Sequence, residues 1–176
     1  MKKVNVKNLI LSSFLAAASL ILLFIMFMPI ISSKGIIEIS MFDMATRSTE
    51  WYMLEEYLWG IGALVATISL PILFVGSVLS ILSALGIIKN KKLDKTLYIF
   101  NIVFAGFVFS MIVMYMVGLG SSLTVRGHSF FVGITYFDYA TAFFYVHCVF
   151  GFLALVAACF NCPKAKKTKK AKRKKK

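Results

Sequence analysis

The amino-acid sequence predicts an all-α membrane protein, a bundle of four transmembrane helices with a small extracellular β-rich cap. Four apolar segments are long enough to cross a bilayer and contain no Asp, Glu, Lys or Arg: 9–31, 58–88, 97–119 and 142–160. Seventeen of the 20 Lys and Arg residues lie on one side of these spans, and six of the 7 acidic residues lie on the other. Strand-forming runs occur in the two segments on the acidic side.

The charge asymmetry also predicts an orientation. The N-terminal segment, the 89–96 loop and the C-terminal segment carry net charges of +3, +3 and +10, whereas segments 32–57 and 120–141 carry −3 and 0. Basic residues next to membrane spans stay on the cytoplasmic side. We therefore expect an integral protein of the plasma membrane, with both termini in the cytoplasm and segments 32–57 and 120–141 outside.

The first span, 9–31, follows three lysines and includes Ala16-Ala17-Ala18, a combination that is also found in secretory signals. The apolar run continues about 13 residues past these alanines, farther than a cleaved signal extends, so an uncleaved span is favoured. Cleavage would instead leave three spans and place the mature N-terminus outside.

The second span, 58–88, has 31 residues and would measure about 45 Å as a helix, more than a bilayer requires. We expect it to tilt or protrude, unless 49–58 forms a separate turn that ends at Gly60. Small residues recur every seven positions, at Gly62, Ser69, Gly76 and Ser83. They predict close helix packing within the chain, with a homodimer interface as the alternative.

Three further positions in the spans are candidates for function. Pro71 lacks a backbone donor and predicts a kink in the second span, either as a packing feature or as a gating hinge. His147, in the fourth span, is an intramembrane polar residue and therefore a functional candidate. Its structural alternative is a neutral imidazole that bonds to a backbone carbonyl, to Asn101 or to a Ser. Cys159 and Cys162 form a lone CxxC pair, too few ligands for structural zinc, so no metal or cofactor is expected.

An internal repeat links the two outer segments. Residues 39–46 and 134–141 are identical at five of eight positions, and both contain an FDxAT motif with Phe42-Asp43 or Phe137-Asp138. We expect Asp43 and Asp138 to cap the helices that follow them, and Asp43 to require a short separate helix or turn. The alternative is a pair of outward carboxylates that bind a cation, although two Asp residues alone make a poor site.

The β-rich cap is predicted from three strand-forming runs, 35–41, 123–125 and 130–136. The last two flank a Gly-containing turn, which predicts a hairpin. Together the runs would form a small antiparallel sheet with an exposed edge that could pair with a partner chain.

The layout resembles that of four-span membrane proteins of the claudin and peripheral-myelin type. The shared features are cytoplasmic termini, a longer first outer loop, a short inner loop and strand-forming runs in both outer loops. Trp51 and Trp59 do not reproduce the tryptophan pattern of claudins, and the outer loops contain no Cys. The resemblance implies a four-helix bundle and a role in adhesion or complex assembly, and no functional residue is carried over.

The chain divides into a membrane domain, 1–163, and a polybasic tail, 164–176, which self-repulsion should keep disordered. The basic residues of the tail are Lys164, Lys166, Lys167, Lys169, Lys170, Lys172, Arg173, Lys174, Lys175 and Lys176. Beside a bilayer, each contributes about 1 kcal/mol of attraction to anionic lipid head groups. A simple topology anchor is the alternative, and nucleic acid is disfavoured because no sequence-reading element accompanies the charge.

No phosphate-binding loop, nucleophile elbow or HExxH motif is present in the sequence, and we do not expect an enzyme. The predicted function is that of a non-enzymatic scaffold or interaction component. Its outer loops would contact a membrane protein partner or a second copy of the chain. The alternative is a small transporter or channel subunit in which Pro71, Gly76 and His147 line a path.

Overall fold

The computed structural model describes residues 5–33, 37–46, 54–88, 90–125 and 141–162. Within these ranges the chain forms α1 (Val6–Ile25), β1 (Pro29–Ser33), β2 (Ile37–Ser40), α2 (Met41–Thr46), α3 (Leu54–Ala84), α4 (Lys91–Val125) and α5 (Ala142–Phe160).

Four of the helices are long and apolar enough to cross a membrane. The qualifying segments are Val6–Ile25, Gly60–Ala84, Lys92–Ser110 and Ala142–Phe160. The predicted helical membrane bundle is therefore confirmed at the level of its helices, and within the described part of the chain the β-rich cap amounts to one two-stranded sheet. The boundaries of α5 coincide with those predicted for the fourth span.

The helices pack as a ring in which α1 and α4 each contact both α3 and α5. Consequently α1 lies diagonally across from α4, and α3 lies diagonally across from α5. Small side chains make the close approach possible, because helices in lipid gain little from hydrophobic exclusion and associate where backbones can meet. On α3, Gly62, Ser69 and Gly76 are all buried within the chain, as predicted for packing inside one molecule.

Hydrogen bonds define the two ends of the bundle. At what we call the turn end (residues 85–88 and 90 with 161 and 162), Gly86 ends α3 with a φ of 80°, and the Ile87 amide donates to the Leu82 carbonyl at 3.0 Å. This is the Schellman arrangement, which favours glycine at the left-handed position. The Asn90 side chain then caps α4 by accepting from the Lys92 amide at 3.0 Å.

The opposite end, which we call the sheet end, comprises residues 26–33 and 37–46 with Thr141. Strand β1 pairs antiparallel with β2, and the register is irregular between Pro29 and Ile31. Segment 29–31 was predicted to be helical as part of the first span, and that prediction is wrong. Pro29 disfavours a helical conformation at the preceding residue, and a short apolar run is as compatible with a strand as with a helix.

Two other predictions for the outer segments need correction. Residues 123–125 belong to α4 rather than to a strand, and residues 130–136 lie outside the described residues. Of the predicted strand 35–41, Ile37–Ser40 is a strand that pairs with β1, Met41 begins α2, and residues 35 and 36 lie outside the described residues. A separate turn that ends at Gly60 is also excluded, since α3 runs without interruption from Leu54.

Candidate functional site

A reciprocal hydrogen-bond pair fixes the start of α2 at the sheet end. The Asp43 Oδ2 atom accepts from the Ser40 backbone amide at 3.1 Å and from the Ser40 hydroxyl at 2.6 Å. In return, the Ser40 Oγ atom accepts from the Asp43 amide at 3.0 Å. This is a capping box, so Ser40 is the N-cap and Asp43 is its third-position partner. Our prediction that Asp43 caps a helix that follows it is therefore wrong, whereas the short separate helix is confirmed.

Phe42 lies beside the capping box, and a hydrogen bond from its own backbone amide holds it in place. Its amide donates to the Met26 carbonyl at 3.0 Å, which joins α2 to the end of α1. Its ring packs on Phe27 with the ring centroids 5.1 Å apart. Phe42 remains 39% exposed and Phe27 remains 57% exposed, so an aromatic pair lies on the surface of the sheet end.

Thr141 connects the sheet to α5. It occupies the N-cap position of α5, but its hydroxyl donates to the Pro29 carbonyl at 2.5 Å and its amide donates to the Ile30 carbonyl at 3.0 Å. In the first copy of the repeat, the equivalent Thr46 is the last residue of α2 and its hydroxyl donates to the Phe42 carbonyl. The aligned threonines therefore occupy different helical positions. Phe137 and Asp138 lie outside the described residues.

These contacts make the sheet end a braced unit, which we call the sheet-end platform (residues 26–33, 37–46 and 141). Backbone carbonyls of β1 are tied to α5 through Thr141, and β2 leads directly into the capping box. Within the described ranges, β2 has β1 as its one strand neighbour. Glu38 on β2 is exposed. The platform thus combines a strand edge, an exposed carboxylate and the exposed aromatic pair Phe27–Phe42.

Gly76 lies where α3 packs tightly on α4. A Cβ atom at this position would lie 2.5 Å from the Asn101 Oδ1 atom and 2.9 Å from the ring of Phe100. The Asn101 amide donates to the Ser80 hydroxyl at 2.9 Å, and that hydroxyl donates to the Gly76 carbonyl at 2.9 Å. Asn101 is fully buried, so these bonds join the two helices inside the bundle.

His147 is 1% exposed, and neither ring nitrogen has a hydrogen-bond partner among the described residues. Asn101, one of its predicted partners, is bonded to Ser80 instead. Pro71 lies on the exposed face of α3 and not in the interior. Because Pro71 is exposed whereas Gly76 and His147 are buried, the three residues predicted to line a path do not share one surface.

Sequence reasoning missed a second polar cluster, at the turn end. The Asn161 amide donates to the buried Ser12 hydroxyl at 2.9 Å, which joins α5 to α1. The Tyr98 hydroxyl donates to the Cys159 carbonyl at 3.1 Å, which joins α4 to α5. Asn and Ser side chains within spans are the signal that could have identified the first of these links.

The remaining candidate residues are the cysteines, which were considered for metal binding, and the basic residues of the tail, which were considered for lipid binding. Cys148 is half-buried, Cys159 and Cys162 are exposed, and no disulfide links any two of these cysteines. Among the described residues, no group of three or more His, Cys, Asp or Glu is placed to hold a metal ion. The ten basic residues of the tail lie outside the described residues.

Comparison of the chain with protein families, with characterised proteins and with solved structures found no match.

Proposed function

We propose that this chain is a non-enzymatic interaction component of the plasma membrane, which contacts a membrane protein partner or a second copy of itself through the sheet-end platform. The observation that carries the proposal is the exposed Phe27–Phe42 pair on a hydrogen-bonded base. Aromatic residues are enriched at protein interfaces, where they contribute large contact areas. Because hydrogen bonds already order the backbone beneath this pair, little conformational entropy is lost when a partner binds.

The strand edge gives the platform a second means of contact. A strand at the edge of a sheet presents unpaired backbone groups that another extended segment can bond to. Glu38 is exposed on this strand and would favour a partner segment that carries Lys or Arg. The platform would therefore recognise an extended, basic segment through the strand and an apolar side chain through the aromatic pair.

The orientation proposed for the chain follows from charge. With the turn end in the cytoplasm, the +3 of the 89–96 loop and the +10 of the C-terminal segment lie on the side that retains basic residues. The platform then faces outward, and the tail would contact anionic head groups of the inner leaflet.

Site-specific photo-crosslinking in native membranes tests the platform. A benzophenone side chain is introduced at Phe42 or Glu38, and matched controls carry it at Ile99 or Val75, which are exposed on α4 and α3. We expect a discrete protein adduct from the two platform positions and lipid adducts from the two controls. If protein adducts form equally at all four positions, or at the controls alone, the platform is not the interface.

A second candidate function, that of a small transporter or channel subunit, is favoured by His147. A buried imidazole with two unpartnered nitrogens is costly unless something binds there, and intramembrane polar residues commonly mark pathways. This function predicts solute or ion flux in liposomes that is lost in His147→Leu. Wild-type vesicles that stay tight to every ion and solute tested would contradict it.

A further inference from the structure

A groove runs along the surface of the bundle between α1 and α5, beside the turn end. Its volume is about 450 Å³, which lies within the range of about 300–1,000 Å³ typical of small-molecule sites. Ile10 and Phe14 of α1 form one wall, and Leu153 and Phe160 of α5 form the other. The small side chain of Ala157 lies at the base and is 5% exposed.

One charged residue, Lys7, is found among the side chains that line this groove, and all the others are apolar. Lys7 lies in the first turn of α1 and is exposed, so its ammonium group can reach the mouth of the groove at the turn end. From residue 7 to residue 14 the helix rises about 10 Å. The groove therefore has a cationic mouth and an apolar interior that extends toward the middle of the bundle.

The C-terminal end of the described residues lies close to the mouth. The Asn8 amide contacts the carbonyls of Asn161 and Cys162 at 3.5 Å each. Asn8 is the sequence neighbour of Lys7, so Cys162 lies near the mouth of the groove. Asp94, a carboxylate at the same end, accepts a hydrogen bond from Ser83 on the far side of the bundle.

We propose that the groove binds one acyl chain of an anionic phospholipid, with the phosphate of that lipid held at Lys7. The apolar walls match a hydrocarbon chain, and basic positions between transmembrane helices suit anionic head groups. A zwitterionic lipid gains less, because its own ammonium group offsets the attraction of the phosphate to Lys7. A second copy of the chain fits poorly, because it would bury the Lys7 ammonium without a partner.

This site is independent of the sheet-end platform, and its test does not depend on that function. The full-length protein is reconstituted in phosphatidylcholine vesicles that contain a trace of a photoreactive lipid with a diazirine in its acyl chain. The probe is either phosphatidylglycerol or phosphatidylcholine with the same chains. Adducts on residues 10–14 and 153–160 are quantified relative to adducts around Ile99. This normalisation corrects for probe that the basic segment attracts nonspecifically.

We expect groove adducts from the phosphatidylglycerol probe to exceed those from the phosphatidylcholine probe by about fivefold. Lys7→Gln should bring the two probes close to equality, and Lys7→Arg should preserve the preference. Lys92→Gln and Lys95→Gln are matched controls, because both residues are exposed at the same end but do not line the groove. They should leave the preference unchanged.

Filling the groove provides a second test that does not involve charge. Val156 lines the groove, so Val156→Trp should remove groove adducts from both probes, whereas Val103→Trp, on the exposed face of α4, should leave them intact. The proposal is overturned if wild-type groove adducts show no preference for phosphatidylglycerol, or if the preference survives Lys7→Gln. It is also overturned if Val156→Trp leaves the groove adducts of both probes intact.

Discussion

The Asn101 Oδ1 atom lies directly over the backbone of Gly76, so close that a Cβ atom on Gly76 would meet it at 2.5 Å. The residues belong to α3 and α4, and both are buried. Because a Cβ there would also approach the ring of Phe100 at 2.9 Å, the side chains of Asn101 and Phe100 would have to shift to accommodate it. The absence of a side chain at Gly76 therefore helps to set the close spacing of the α3–α4 pair.

Gly76→Ala should destabilise the bundle by about 1–3 kcal/mol, the usual cost of overpacking a filled interior. The free energy of unfolding is measured by titration with SDS in mixed micelles. Gly106→Ala, on α4, is the matched control, because nothing lies within 4 Å of its added Cβ. It should leave the stability unchanged or raise it by up to about 1 kcal/mol. Equal losses in the two variants would contradict the spacing role of Gly76.

The hydrogen bond from Asn101 to Ser80 should contribute a measurable coupling energy between α3 and α4. Interhelical side-chain bonds in membranes average about 0.6 kcal/mol in double-mutant cycles. The cycle combines Asn101→Leu with Ser80→Ala and uses the same unfolding titration. A coupling energy near zero would mean that the 2.9 Å contact does not hold the helices together.

The capping box at the sheet end predicts a local effect. Ser40→Ala removes the acceptor for the Asp43 amide and one donor to its carboxylate, and loss of a helix cap costs about 1 kcal/mol. Hydrogen exchange of the amides of β2 and α2 should accelerate, while exchange in α5 should not change. Thr46→Ala serves as the control, because its exposed hydroxyl bonds within its own helix. Similar acceleration in both variants would argue against the cap.

The sequence predicted helix boundaries well where the apolar segment and the helix begin and end at the same residues. For α5 they do, and its boundaries agree with the prediction. For α4 they do not, because the helix continues to Val125, past the apolar segment that a bilayer would contain. Hydropathy indicates which residues lipid can surround, whereas the end of a helix depends on where backbone hydrogen bonding stops. The predicted and observed ends of α4 therefore differ.

Parts of the candidate site could also have been predicted. The spacing of Ser40 and Asp43 fits a capping box, so the role of Asp43 was accessible from the sequence. The pairing of Asn101 with Ser80, and of Asn161 with Ser12, depends on which helices are neighbours in the ring. No local pattern in the sequence contains that information, and the groove at Lys7 depends on it as well.

His147 provides the sharpest contrast with Asn101. Both are buried polar residues within spans, but the Asn101 Nδ2 atom donates to Ser80 and leaves only its Oδ1 unpartnered, whereas neither His147 nitrogen has a partner among the described residues. An unpaired buried polar group costs about 1–3 kcal/mol, so His147→Leu should leave the free energy of unfolding unchanged or raise it, and Asn101→Leu, which also removes the bond to Ser80, should be the more destabilising of the two. The SDS titration compares the two variants directly. A marked loss of stability in His147→Leu would show that the imidazole makes a stabilising contact with a bound molecule or with a residue outside the described ranges.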